Sequence, residues 1–393
     1  MTDEFEGVKV LASRATVERI TRRHFLAGSA VAVFSSSVLL AACGDDSPEP
    51  GGGGSPSAGG EIEDRLNFFH WAEYDDPEVF KDFEKEFGVT TKIDIYASNE
   101  EAIAKLTAAS GTSGYDLVIP TGVYIPQMVA LDLLQEINLD LIPNFENVDE
   151  IYRDQPWDPG NKYSVTKDWG STGWIYDKTL VSSEINDWSD FLAVAEGEAS
   201  GKTSVLDTPG NLTGIWFWAN DIDWTTTDTA DLDACEDYIV NTLAPHIKAY
   251  DSYPGIALTE GKYALSHAWN GDARQGLLST DDPDRYVWGL GAPVTELWMD
   301  NWCIVKDAPD PNAAHAWIDF ICDPKVSLKD LAYHGYNTGI VGVQEEAEAA
   351  GLEFLDMVFF SDEDVATMDA GAVNEAQERL VDIWNKAKAA SGA

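Results

Sequence analysis

Leu66-Asn67-Phe68-Phe69-His70-Trp71 is a short, aromatic-rich run that reads as a buried β-strand. Asp76 then precedes Pro77, the pattern of a capped helix start. Val79, Phe80, Phe83 and Phe87 follow at helical spacing, and Gly88 ends the helix. Residues 91–96 alternate as a second strand. Ser98-Asn99-Glu100-Glu101 carries the capping-box pattern and opens a helix over 100–109. Residues 116–120 read as a third, short buried strand, and another helix starts near Pro126. Strands alternating with helices require crossover connections and a parallel sheet, so the fold class is α/β.

The pattern restarts after Trp169-Gly170. Residues 174–176, 203–206, 264–269 and 286–290 are expected strands, and 215–219, 231–243, 313–321 and 373–388 expected helices. Asn270-Gly271 is expected to form a turn. Further on, Leu297-Trp298-Met299-Asp300-Asn301-Trp302 alternates so that Trp298, Asp300 and Trp302 share a strand face. Two readings fit it: a half-buried strand with one capped Asp, or a site where indole faces and a carboxylate hold an organic cation.

The N-terminal 42 residues do not belong to this body. Thr21-Arg22-Arg23-His24-Phe25-Leu26 sets a twin arginine before an apolar run, and Leu40-Ala41-Ala42-Cys43 follows. The arrangement resembles a Tat-type lipoprotein signal (residues 1–42), with Cys43 as the lipid attachment point. Residues 43–61 are acidic and rich in Gly, Ser and Pro, the composition of a flexible tether. The expectation is an exported protein, periplasmic or cell-surface, anchored to the outer face of the cytoplasmic membrane.

A net charge of −44 excludes a phosphate backbone as partner, because nucleic acid needs a basic patch. It suits cationic ligands or a solvated surface in a salty medium. With 44% hydrophobic and 11% aromatic residues the body is globular. About 330 residues beyond the signal and tether suffice for two lobes. Beyond Cys43 there remain Cys235, Cys303 and Cys322, an odd number that fits no disulfide framework, and a Cys303–Cys322 bridge is not expected. No CxxC, HExxH or EF-hand loop occurs, so neither metal nor cofactor is expected. Gly201-Lys202-Thr203 resembles the end of a P-loop, but Glu196 stands where its first glycine belongs. Nothing sets a Cys or Ser nucleophile beside a His, and no enzymatic activity is expected.

Taken together, Phe68-Phe69-His70-Trp71-Ala72-Glu73-Tyr74, Tyr115-Asp116-Leu117-Val118-Ile119-Pro120, Trp269-Asn270-Gly271-Asp272, Trp298-Met299-Asp300 and His334-Gly335-Tyr336 resemble the periplasmic spermidine/putrescine-binding proteins of ABC importers. The similarity runs from about Leu66 to about Val343. The resemblance implies a two-lobed periplasmic-binding-protein type II fold with a ligand cleft between the lobes. Lobe 1 is then 62–171 plus 300–344, and lobe 2 is 172–299 plus 345–393. It implies a monomer that binds a polyamine and hands it to permease subunits in the membrane. An aromatic box of Trp71, Tyr74, Trp269, Trp298 and Tyr336 carries over, with Asp300 as an ammonium partner and Glu73, Thr121 and Asp207 in the same cleft. Asp272 is expected either to face the ligand or to cap a helix beginning at Ala273. Two departures bear on selectivity: Asn211 stands where the family has Glu, and Val123 takes an aromatic position, with Tyr124 beside it. The same fold binding a quaternary amine or guanidino compound is the alternative.

Overall fold

The computed structural model describes residues 59–392; the expected signal and Cys43 lie outside the described residues, as does nearly all of the tether. Ten strands are present among the described residues. In chain order they are β1 (Arg65–His70), β2 (Thr90–Ile95), β3 (Leu117–Val118), β4 (Val165–Asp177), β5 (Thr203–Leu206), β6 (Ile247–Asp251), β7 (Leu265–Trp269), β8 (Tyr286–Leu290), β9 (Thr295–Ile304) and β10 (Met368–Asp369).

The first βαβ unit forms for the reasons legible in its residues. The Asp76 carboxylate accepts the Glu78 N–H at 2.8 Å, Pro77 opens helix Pro77–Phe87, and Gly88 closes it in the left-handed region at φ 72°. Val79, Phe80 and Phe83 bury one helix face. At the next helix, Asn99–Ala109, Ser98 Oγ accepts the Glu101 N–H, but the Glu101 carboxylate reaches the Ala97 N–H rather than that of Ser98. The expected box is thus displaced by one residue on its return bond.

β1 pairs in parallel with β2 and β3, and the sheet runs on in the order β2-β1-β3-β9-β4-β7-β5-β6. β4 and β9 are its long antiparallel centre, with Asp168 opposite Asp300 and Gly170 opposite Trp298. The first half of β4 pairs with β9, and its second half with β7 and β8. Only residues 174–176 of β4 were expected as strand. The rest is masked in the sequence by Gly170, Gly173 and the polar run Thr166-Lys167-Asp168, all of it buried. Gly170 is required: a Cβ there would come within 2.4 Å of Asn270 Oδ1 and 2.5 Å of the Trp298 ring.

The Asn270-Gly271 turn does not form. Helix Asn270–Ser279 begins directly after β7. Asn270 is buried, accepting from the Ser171 N–H at 2.9 Å and donating to the Met357 carbonyl at 2.8 Å. Tertiary partners therefore satisfy the side chain that a local turn would otherwise use.

Alternation divides the core. On one side of the sheet Leu66, Phe68, Phe83, Trp302 and Trp317 pack together, joined by Val343 and Val358. On the other side lie Phe69, Tyr96, Ile103, Val118 and Cys303. A separate core gathers Trp174, Trp188, Phe191, Phe217, Leu380 and Ile383. Cys235, Cys303 and Cys322 are free and buried.

Candidate ligand-binding cleft

A cleft of about 610 Å³ opens along β9. Alternation sends Glu296, Trp298 and Asp300 from that strand into it, while Trp302, next on the same face, enters the core. Trp298 meets Tyr336 edge-on at 4.7 Å between centroids. Gly271 makes room for that phenol, since a Cβ there would lie 2.4 Å from the Tyr336 ring. Trp71 is fixed by its indole N–H, which donates to the Ile119 carbonyl at 2.9 Å, and packs on Tyr96 at 4.5 Å. Trp269, the last residue of β7, supplies another wall.

Five carboxylates line this space, Glu73, Glu100, Asp272, Glu296 and Asp300, and burial acts on three of them. Asp300 accepts from Thr121 Oγ1 at 2.7 Å and lies 2.9 Å from the Tyr74 hydroxyl. Burial, with the Asp168 charge adding to it, pushes Asp300 up to about 7. Glu296 accepts from Asn211 Nδ2 at 2.8 Å, and burial pushes it up to about 7. Asp272 accepts from the Tyr336 hydroxyl at 2.5 Å and is pushed up to about 6 by burial. No Lys or Arg is among the described residues that line the cleft. Its acceptors thus face no described Lys or Arg.

Behind Tyr74 lies a second, closed cluster. The Tyr74 hydroxyl donates to Asp168 at 2.5 Å, and Lys167 Nζ lies 2.7 Å from Asp168 and 3.2 Å from Asp75. The same ammonium stands 3.8 Å over the Tyr74 ring. Burial works against charge on Lys167, but Asp168, Asp75 and Asp330 outweigh it and raise its pKa. Burial likewise opposes charge on Asp75, yet Lys167 and His70 hold it down. The remaining carboxyl, Asp330, is pushed up by burial and by Asp75. His334, stacked on Tyr336, is lowered to about 3 by burial and Lys167. Of this cluster, Tyr74 and His334 reach the cleft lining, while Lys167, Asp75, Asp168 and Asp330 stay behind it.

The family model of the bacterial extracellular solute-binding proteins matches residues 78–353. The chain belongs to that family. Its members bind solutes rather than transform them, in line with the expectation of no enzymatic activity. Among the relatives, the Putrescine/agmatine-binding protein of Pseudomonas aeruginosa is 27% identical over 290 residues, 70% of this chain and 78% of the relative. The Spermidine/putrescine-binding periplasmic protein of Salmonella typhimurium is 28% identical over 287 residues, covering 72% and 80%. A solved structure, a putative spermidine/putrescine ABC transporter from Listeria monocytogenes, superposes with a TM-score of 0.75 at 21% identity, over 83% of this chain and 99% of that one. The likeness shows the two-lobed solute-binding fold expected from the sequence.

Within this solute-binding protein, Trp71, Glu73, Tyr74, Thr121, Trp269, Asp272, Trp298, Asp300 and Tyr336 all line one cleft. Glu73 is exposed there and held in the left-handed region at φ 51°. Asp207 is not brought to the cleft lining. Its carboxylate accepts from Lys388 Nζ at 2.7 and 2.8 Å and from the Trp384 indole N–H at 2.9 Å. Asp272 does not cap a helix beginning at Ala273, because the helix begins at Asn270 with Trp269 as its cap residue. Glu296 was not anticipated, although it stands two residues before Trp298 and four before Asp300, on the same alternating face. Also unforeseen is a bridge in which Gln377 Nε2 donates to Glu100 Oε1 at 2.9 Å, with the Tyr124 hydroxyl donating to the same oxygen at 2.8 Å.

Proposed function

We propose that this chain is the substrate-binding subunit of an ABC importer, capturing polyamines such as putrescine or spermidine outside the membrane and delivering them to permease subunits. One observation carries the reading. Trp298 stands between two carboxylates on one face of β9, in a cleft lined by aromatic rings and by no described Lys or Arg. A polyamine is a methylene chain with protonated nitrogens. Ring faces cover the methylenes and attract the ammoniums, at about 0.5–2 kcal/mol per cation–π contact. Carboxylates accept their N–H groups in charge-assisted bonds. Relatives named for putrescine, agmatine and spermidine support the same chemistry.

The lobes proposed are 62–171 plus 300–344 and 172–299 plus 345–393, hinged where β4 and β9 cross. The core around Phe68 and Trp317 falls in the first and the core around Trp188 and Ile383 in the second. Val358 packs with the first core, which favours extending that lobe's second segment past 344. The Glu100–Gln377 bridge then joins the lobes and supports a closed form. The working molecule is a monomer tethered through a lipid on Cys43. No described helix is long and apolar enough to cross a membrane.

Calorimetric titration of the mature protein with putrescine, spermidine, spermine, agmatine and glycine betaine tests the ligand class. Tight binding of a polyamine is expected. Preference for agmatine or betaine would move the ligand to a guanidino or quaternary cation on the same fold. The anchor is tested separately: Cys43→Ala should release the protein from membranes or leave an uncleaved precursor, and normal membrane retention would sink that part.

A further inference from the structure

Among the buried polar atoms of cleft residues that no group of the chain satisfies, Trp224 Nε1, Trp298 Nε1 and His334 Nε2 are ring nitrogens, and one, on Asn211, is an amide oxygen. Asn211, in the first turn of helix Pro209–Ala219, is 5% exposed. Its Nδ2 donates to Glu296 Oε2 at 2.8 Å, while its Oδ1 is buried with no hydrogen-bond partner. The opposite amide orientation would set Oδ1 against a carboxylate oxygen, so the observed one is fixed by charge. The result is an amide oxygen and a carboxylate side by side, both acceptors, at the wall of a cleft that offers no cation. A group with several N–H donors, no acceptor and a positive charge satisfies both; a protonated amine is that group.

Of the other cleft carboxylates, Glu73 is exposed to solvent and Glu100 already accepts from Tyr124 and Gln377; this position is distinct from the remaining two, Asp272 and Asp300. Glu296 and Asp300 are four residues apart on β9, about 13 Å along the strand at ~3.3 Å per residue, with the Trp298 indole between them. Asp272 comes from a different element, helix Asn270–Ser279. Each has its own neutral donor: Asn211 for Glu296, Thr121 for Asp300, Tyr336 for Asp272. We propose that Glu296 and the Asn211 amide oxygen form a third ammonium-receiving position, matching the cleft to a linear triamine in preference to a diamine. The inference rests on the polyamine reading above and deepens it. A diamine neutralises two of the three carboxylates and leaves one desolvated and unpaired, which opposes binding. A triamine neutralises all three. The arrangement also accounts for Asn211 standing where the resembled family has Glu. The facing strand delivers the carboxylate, and the helix delivers the oxygen beside it.

The test is calorimetry of the full mature protein with spermidine and putrescine, on the parent, Glu296→Gln and Asn211→Leu. Glu296→Gln keeps an acceptor for Asn211 Nδ2 and removes a charge that burial disfavours, so its melting temperature should not fall. The parent should bind spermidine more tightly than putrescine. Glu296→Gln should lose at least about thirtyfold in spermidine affinity and under about threefold for putrescine. Asn211→Leu, which removes only the amide, should lose about threefold to tenfold for spermidine alone. Equal losses for the two amines in Glu296→Gln, no loss for either, or a parent that prefers putrescine overturns the third position while leaving polyamine binding intact. A parent that binds neither amine fails the polyamine reading itself, and this inference with it.

Discussion

Two carboxylate-rich regions lie back to back in this protein, and they solve opposite problems. Behind Tyr74, Asp75, Asp168 and Asp330 gather around Lys167, whose side chain is 1% exposed. In front of Tyr74, Asp272, Glu296 and Asp300 gather around nothing positive. The rear cluster carries its own cation, which holds Asp75 down while Asp330 is pushed up. The front cluster has neutral donors only, and burial drives all three carboxyls toward their protonated forms. Similar side chains thus make a structural cluster in one place and the proposed receptor in the other. The difference is whether the countercharge is covalently part of the chain.

The largest expected effect breaks the rear cluster. Lys167→Met removes its cation and strands Asp168 and Asp75, so unfolding free energy should drop by about 3–5 kcal/mol in chemical denaturation. A variant as stable as the parent would show that Lys167 does not hold these charges. The matching change in front is Asp300→Asn. It should cost about 2–5 kcal/mol of polyamine affinity by calorimetry while leaving the unliganded melting temperature unchanged or higher. Loss of stability in step with affinity would erase the contrast between the clusters.

pH sharpens the comparison next. Below about 7 for Asp300 and Glu296, and about 6 for Asp272, the front carboxyls hold protons that a cation must displace. Alkyl ammoniums, with pKa values near ~10, stay charged throughout. Polyamine affinity should therefore rise from pH 5 to pH 8, by up to about tenfold per pH unit for each proton displaced, and flatten above. Asp300→Asn should make the rise shallower, since Glu296 and Asp272 still titrate; a pH-independent parent would contradict the shifted carboxyls. The smallest effect concerns the Gln377–Glu100 bridge. Gln377→Ala should speed polyamine release and cost about 1–2 kcal/mol, read by stopped-flow fluorescence of the cleft tryptophans. An unchanged release rate would remove the bridge from the closing contacts.

The legibility of this chain followed the range of the interactions involved. The unit from Leu66 to Pro120 was readable because caps and alternation are local. β4 was not, since Lys167 and Asp168 are polar and buried for reasons lying at Asp75 and Asp330, far away in sequence. Asn270 misled in the same way: its partners, Ser171 and Met357, are invisible to a turn rule. The cleft aromatics were reached through a family resemblance rather than through periodicity. Glu296 shows the converse. Simple alternation backward from Trp298 sets it on the same strand face as Asp300.

The three buried thiols have a practical consequence. A member of an extracellular solute-binding family works where oxidants are common, yet Cys235, Cys303 and Cys322 are unpaired. Burial seals them and also raises each thiol, Cys322 to about 12, so the reactive thiolate is suppressed as well. The folded molecule should therefore be inert to alkylating reagents, with modification gated by opening of the structure. Cys303 lies on β9, three residues from Asp300, at the strand that carries the proposed ligand face. Its labelling rate becomes a clock for how often that strand breathes, and a bound polyamine should slow the clock while leaving the unfolded chain's reactivity untouched. Rapid labelling of Cys303 in the liganded protein without denaturant would show that the seal is not there.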